Sequence, residues 1–216
     1  MSGRPLTITW ADENVPAILE TWFLGTEAGN AIADVLFGDY NPSGKLTVTF
    51  PRVVGQVPYY YNHKNTGRPP TDQKYTSKYI DVENSPLYPF GFGLSYTTFE
   101  YANLSVDSNK ISKTDSVQVS VTVTNTGDRS GQEIVQLYIR DLFASVSRPV
   151  KELRGFEKIN LKPGDSQTVT FTLTPDDLSF YNREMKKVVE PGDFEIMVGS
   201  SSSEQDRIKS TLTVLQ

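Results

Sequence analysis

Cysteine is absent from these 216 residues, which excludes a disulfide framework, a zinc–thiolate site and a thiol nucleophile and leaves the redox compartment open. Histidine is almost absent. His63 is the single one, so a Ser-His-Asp site or a histidine metal cluster has at most one imidazole to draw on. No basic stripe is present: 21 Lys and Arg stand against 26 Asp and Glu, for a net charge of −5. Nucleic-acid binding therefore has little electrostatic support. No run of about 20 apolar residues occurs, so no membrane span is expected. The opening "MSGRPLTITWADENV" also lacks the charged and apolar regions of a signal peptide. No cofactor or metal motif is legible.

What is present divides into halves with different patterns. Residues 1–58 read as an α/β fragment. Leu6, Ile8 and Trp10 alternate with Thr7 and Thr9, which predicts a short strand. "AILETWFL" reads as a second, buried strand. Thr26 stands where a helix cap is wanted, ahead of an apolar face of Ala28, Ala31, Ile32, Val35 and Leu36. Gly38 stands where that helix should stop. "NPSG" is turn chemistry, and Leu46, Val48 and Phe50 predict a further strand before Pro51. Two or three strands and one long helix cannot close a sheet covered on both faces. Trp22, Phe23 and Leu24 are accordingly expected to lie exposed or poorly packed, with a tendency to associate.

Residues 59–97 are irregular, with prolines at 69, 70, 86 and 89. A disordered segment is poor in aromatics, yet this one holds Tyr59, Tyr60, Tyr61, Tyr75, Tyr79, Tyr88, Phe90 and Phe92. It reads as an interdomain connecting loop packed on a neighbour. Its end, "PLYPFGFGLSYTTFEY", invites two motif readings, and both fail. A dinucleotide fingerprint needs glycine where Tyr96 stands, and a nucleophile elbow at Ser95 needs glycine where Thr97 stands. Gly91 and Gly93 are better read as turns between packed aromatics.

From residue 98 to 216 the period is two. Val117, Val119, Val121 and Val123 face one side, and the alternation returns at Val135, Leu137, Ile139, at Val169, Phe171, Leu173, and at Phe194, Ile196, Val198. Turns fall at 125–128, 162–165 and 190–193. About seven short strands at this spacing predict an antiparallel β-sandwich of immunoglobulin or fibronectin type III kind.

Candidate chemistry is sparse. A glycosidase needs two carboxyls about 5–5.5 Å apart for retention or 6.5–9.5 Å for inversion, and sequence pairs none of these. Asp34 lies in the amphipathic helix; Asp128, Asp165, Asp176 and Asp177 read as turn or cap residues. Tyr61, His63, Asn65 and Arg68, beside Tyr59, Tyr60 and Asn62, form the one cluster with two readings. Their aromatic faces and polar tips suit a sugar ring. They suit better a seam that fastens the two halves together, because the segment bridges them.

The blocks "GRPLTITW", "LFGDYNPSGKLTVTFP", "YYYNHKNTGRP", "LYPFGFGLSYTTFEY", "VTNTGDRSGQEIVQLYIRD", "RPVKELRGFEKINLKPGDSQTVTFTL" and "EPGDFEIMVGSSS", in that order, resemble glycoside hydrolase family 3, in particular its bacterial periplasmic β-glucosidase type. The resemblance implies an enzyme of three parts: a (β/α)8 barrel, an α/β sandwich domain and a fibronectin type III-like domain. Residues 1–58 are similar to the tail of the second part, 59–97 to the connection and 98–216 to the third. The implied parent hydrolyses terminal β-D-glucosyl residues, acts on a β-glucoside or oligosaccharide, uses no cofactor and resides in the periplasm or outside the cell. Its aspartate nucleophile belongs to the barrel, and its glutamate acid/base to a loop upstream of "GRPL". No residue here matches either, so no catalytic residue is expected. The missing barrel and the rest of the sandwich domain are the expected partners, and Met1 is expected to be an internal methionine. Two other readings remain: a carbohydrate-binding or adhesion module, and a subunit that complements a separate barrel.

Overall fold

The computed structural model describes residues 1–216. Helix α1 spans Thr9–Asn14 and helix α2 spans Ala28–Phe37, and neither contains a buried residue. A 3-10 turn follows at Val54–Gln56. The remaining elements, in chain order, are β1 (Phe99–Val106), β2 (Lys110–Ile111), β3 (Val117–Asn125), β4 (Gly131–Asp141), β5 (Glu152–Leu161), β6 (Ser166–Leu173), helix α3 (Pro175–Leu178), β7 (Phe180–Tyr181), β8 (Lys187–Val188), β9 (Gly192–Gly199) and β10 (Arg207–Val214). No helix is long and apolar enough to cross a membrane.

The strands form the sandwich that the alternation predicts. One sheet runs β1-β3-β6, the other β2-β10-β9-β4-β5, with a β7-β8 ribbon beside them. Only the β2–β10 pair is parallel; the others are antiparallel. Period-two patterning sends alternate side chains to one face, and register brings apolar partners opposite each other, as in Val121 with Val169 and Ile139 with Ile196. One core of 18 buried apolar residues results, running from Ile111 to Val214 and drawing on both sheets.

β4 departs from alternation in an instructive way. Val135, Leu137 and Ile139 face the core, yet Gln136 and Tyr138, on the opposite face, are buried too. Their neighbour on β9, Met197, is buried as well. A sheet face normally left to water has been covered, and the cover is the connecting loop.

Residues 1–58 differ from expectation. The strand expected over Leu6, Ile8 and Trp10 does not form; the chain turns into α1, and Trp10 is 72% exposed. "AILETWFL" lies in no strand either, and Trp22 has φ 50°. Of the strand expected at Leu46–Phe50, only an isolated bridge between Phe50 and Tyr88 appears. The physical reason is common to all three. A strand leaves its N–H and C=O groups to a neighbour, and this half supplies no neighbouring strand, whereas a helix satisfies them locally. The expected α2 forms and ends at Gly38, whose φ of 85° is the left-handed C-cap conformation. Its N-cap position is Glu27, not Thr26, and no side chain caps it. Phe23 is 83% exposed, while Trp22 and Leu24 are half-buried, Trp22 against the Phe50 ring at 5.9 Å.

Candidate functional site

Two features stand out: a polar seam where residues 1–97 lie along β4 and β9, and a cleft at one end of the sandwich that Asn65 of the connecting loop helps to line. The seam begins with aromatics. Trp22, Phe50, Tyr88 and Phe92 make a ladder, ending in a stacked pair 5.3 Å apart. The Tyr88 hydroxyl donates to Asp12 Oδ1 at 2.5 Å. Burial first, then that carboxylate, pushes its pKa up to about 12. Tyr61 stacks on Phe90 at 4.2 Å and meets the Tyr138 ring edge-on at 6.0 Å. Its hydroxyl accepts the Leu153 N–H at 3.4 Å.

Beneath these rings the polar groups are paired. Gln136 Nε2 donates to the carbonyls of Gly91 (3.1 Å) and Ser200 (2.6 Å), and its Oε1 accepts the Tyr138 hydroxyl at 2.5 Å. Gly91 has φ 80°, and a Cβ there would collide with the Gln136 carboxamide, so this close approach needs glycine. The Phe90 carbonyl accepts the Ser202 N–H at 2.9 Å, and Lys151 Nζ donates to Ser202 O at 2.8 Å. Burial, with Arg207 nearby, lowers the Lys151 pKa to about 8. At the other end, Lys45 pairs with Glu133 at 3.1 Å, their side chains 10% and 3% exposed. Tyr101 donates to the same carboxylate at 2.9 Å, and burial followed by Glu133 raises the tyrosine's pKa. Asn41 closes the seam, donating to Ser130 O and accepting from Ser95 Oγ and the Tyr96 N–H.

The cleft encloses about 310 Å³ between the connecting loop, the β4–β5 segment and the β7–β8 turn. Asn65, Arg140, Asp141, Phe143, Arg148 and Arg183 line it. Arg148 holds Glu152 at 2.6 Å and lies over the Phe180 ring at 4.8 Å. Burial pushes the Asp141 carboxyl up to about 6, against the pull of Arg148.

Of the sequence candidates, Tyr61 enters the seam and Asn65 reaches the cleft. His63 contributes its carbonyl, which accepts the Val150 N–H at 2.9 Å, while its ring is exposed beside the Lys64 carbonyl. Arg68 is exposed, its carbonyl accepting the Ser77 N–H at 2.9 Å in a local turn. Sequence reasoning missed Gln136 and Glu133, two polar residues inside the apolar strand "GQEIVQLYI". A polar residue at a core-parity position, as Glu133 is, was the available signal. The arginines of the cleft come from the end of β4, the segment after it and the β7–β8 turn, and carry no such signal.

Comparison with known proteins decides the family. Residues 1–96 match the model of the glycosyl hydrolase family 3 C-terminal domain, and residues 133–202 that of the fibronectin type III-like domain. The chain belongs to glycoside hydrolase family 3. Within that family it is similar to a periplasmic beta-glucosidase of Salmonella typhimurium, with 55% identity over 94% of this chain and 27% of that protein. A beta-xylosidase of Formosa agariphila is 50% identical over 99% of this chain and 29% of its own length. A crystal structure of a beta-glucosidase from Listeria innocua in complex with glucose superposes with a TM-score of 0.94 at 46% identity, covering 99% of this chain and 30% of that one. The chain thus spans under a third of the family 3 relatives it matches.

Proposed function

We propose that this chain is the C-terminal part of a family 3 β-glucosidase, serving the architecture of the parent enzyme and not catalytic by itself. The parent reaction is retaining hydrolysis of terminal β-D-glucosyl residues through a covalent glycosyl-enzyme. The observation that carries this reading is the match of both C-terminal family models to a chain that spans under a third of its relatives, and three carboxylates of the seam and cleft are already engaged. Lys45 and Tyr101 hold Glu133, Arg148 and Arg154 hold Glu152, and Ser145 occupies both oxygens of Glu190. A nucleophile and an acid/base must instead be free to meet the glycosidic bond.

The boundaries that fit this role are 1–58 for the tail of the α/β sandwich domain, 59–97 for the connection and 98–216 for the fibronectin type III-like domain. The exposed Trp10, Phe23, Leu36 and Phe37 favour the barrel and the remainder of the sandwich domain as what covers residues 1–58. The Salmonella relative's name supports a periplasmic parent. The test is turnover of an aryl β-glucoside by the highly purified chain, with calorimetry against neutral cello-oligosaccharides beside it. We expect no turnover and no heat at millimolar sugar. Turnover that disappears when one of the chain's own carboxylates is replaced by its amide overturns the reading.

A further inference from the structure

We propose that the cleft lined by Asn65, Arg140, Phe143, Arg148 and Arg183 binds a carboxylate-bearing sugar residue, a hexuronate in its simplest form. Guanidinium groups are in surplus at the cleft. Arg140 and Arg183 make no ion pair within the chain. Glu195, the residue paired with Arg140 across β4 and β9, is held instead by Lys209 at 3.2 Å. Arg148 spends one nitrogen on Glu152, and its Nε is buried without an acceptor. The nearby carboxylates are committed: Glu152 is shared with Arg154, and both oxygens of Glu190 accept from Ser145. Asp141 also lines the cleft, its Oδ1 accepting the Phe143 N–H at 3.2 Å, and its single charge is outnumbered there by the guanidiniums of Arg140, Arg148 and Arg183. Planar guanidinium forks in surplus suit a carboxylate, which two parallel N–H donors grip together.

The shape of the cleft suits a single ring. About 310 Å³ lies at the lower end of small-molecule sites, which run from roughly 300 to 1,000 Å³, and accommodates one ring rather than a chain. The Phe143 ring on its wall is 83% exposed, an apolar face of the kind that stacks on a sugar. Asn65 brings both donor and acceptor capacity to the hydroxyls. A bare inorganic anion would use the arginines and leave Phe143 in water.

The test is calorimetry of the 216-residue chain with D-glucuronate, D-glucose and inorganic phosphate as separate titrants. Glucuronate is expected to bind, glucose to give no heat, and phosphate to bind more weakly than glucuronate. Arg183→Ala and Phe143→Ala are each expected to weaken glucuronate about tenfold, while Phe143→Ala leaves phosphate unchanged. Arg183 and Phe143 are exposed, and circular dichroism verifies that both variants fold. Absence of glucuronate heat from the folded chain overturns the proposal. So does phosphate binding as tight as glucuronate with no effect of Phe143→Ala, which would mark a general anion contact. Heat from neutral cello-oligosaccharides bears only on the function proposed above, so the two readings fail separately.

Discussion

Residues 1–58 are richer in apolar residues than residues 99–216, 26 of 58 against 41 of 118, yet the two regions end in opposite states. The second region closes around 18 buried apolar residues of its own. The first buries Phe50 and few other side chains, while Trp10, Phe23, Leu36 and Phe37 face water. The difference lies in partners. Every long strand of the sandwich finds a neighbour within the chain, whereas the apolar face of α2 has no sheet to lie on. Hydrophobic periodicity states which face wants burial; a second layer decides whether burial happens.

Truncating one apolar side chain in each region tests the difference most directly. Leu137→Ala empties a site 1% exposed and should lower the unfolding free energy by about 3–4 kcal/mol. Phe37→Ala removes a ring 84% exposed and should change it by less than about 0.5 kcal/mol. Urea denaturation followed by tryptophan fluorescence and by far-UV circular dichroism reads both. Equal losses would mean that α2 is packed in solution and that the contrast is false.

What was legible in the sequence follows the same division. The valines of β3 and the 135/137/139 set of β4 announced their core face because a sandwich strand carries its own signal in alternation. The burial of Gln136 and Tyr138 was not announced, since no periodicity tells which outer face a loop will cover. Leu6–Trp10 and Leu46–Phe50 carried a strand pattern and made no strand, for want of a strand to pair with. Tyr61 was legible as an aromatic in a bridging loop, its stacking on Phe90 was not, and the arginines at 140, 148 and 183 meet only because β4 and the β7–β8 turn end together.

A second prediction sharpens the boundary between the regions. Lys45 belongs to the first and Glu133 to β4, and their pair is one of few charged links across the seam. Lys45→Met keeps the stem and leaves Glu133 with only the Tyr101 hydroxyl. Removing one partner of a buried pair costs about 3–5 kcal/mol when burial is complete. Here Lys45 is 10% exposed, so water reaches the site and about 2–3 kcal/mol is expected. The double variant Lys45→Met/Glu133→Gln should recover part of it, because the amide is neutral and still accepts from Tyr101. A Lys45→Met variant as stable as the parent chain would show that the two regions are not joined there.

The smallest expected effect comes from Lys151, on the β5 side of the seam, and it is read as a slope. Burial lowers its folded pKa to about 8 from the usual 10.5. Between those values the unfolded chain holds more of the proton than the folded one, so stability rises with pH through that window and is lower below pH 8. The slope stays under about 1.4 kcal/mol per pH unit, the limit for one whole proton. Lys151→Met removes that contribution. It also loses the hydrogen bond to Ser202 O, worth about 1 kcal/mol, so absolute stability is ambiguous and the slope is the quantity to compare. Denaturation midpoints between pH 8 and 9.5, below the range where the tyrosines titrate, should climb more steeply for the parent chain than for the variant. Identical slopes would mean that water reaches the Lys151 amine freely, and that the loop lies on β4 and β9 through its aromatic rings while the polar edge of the seam stands open.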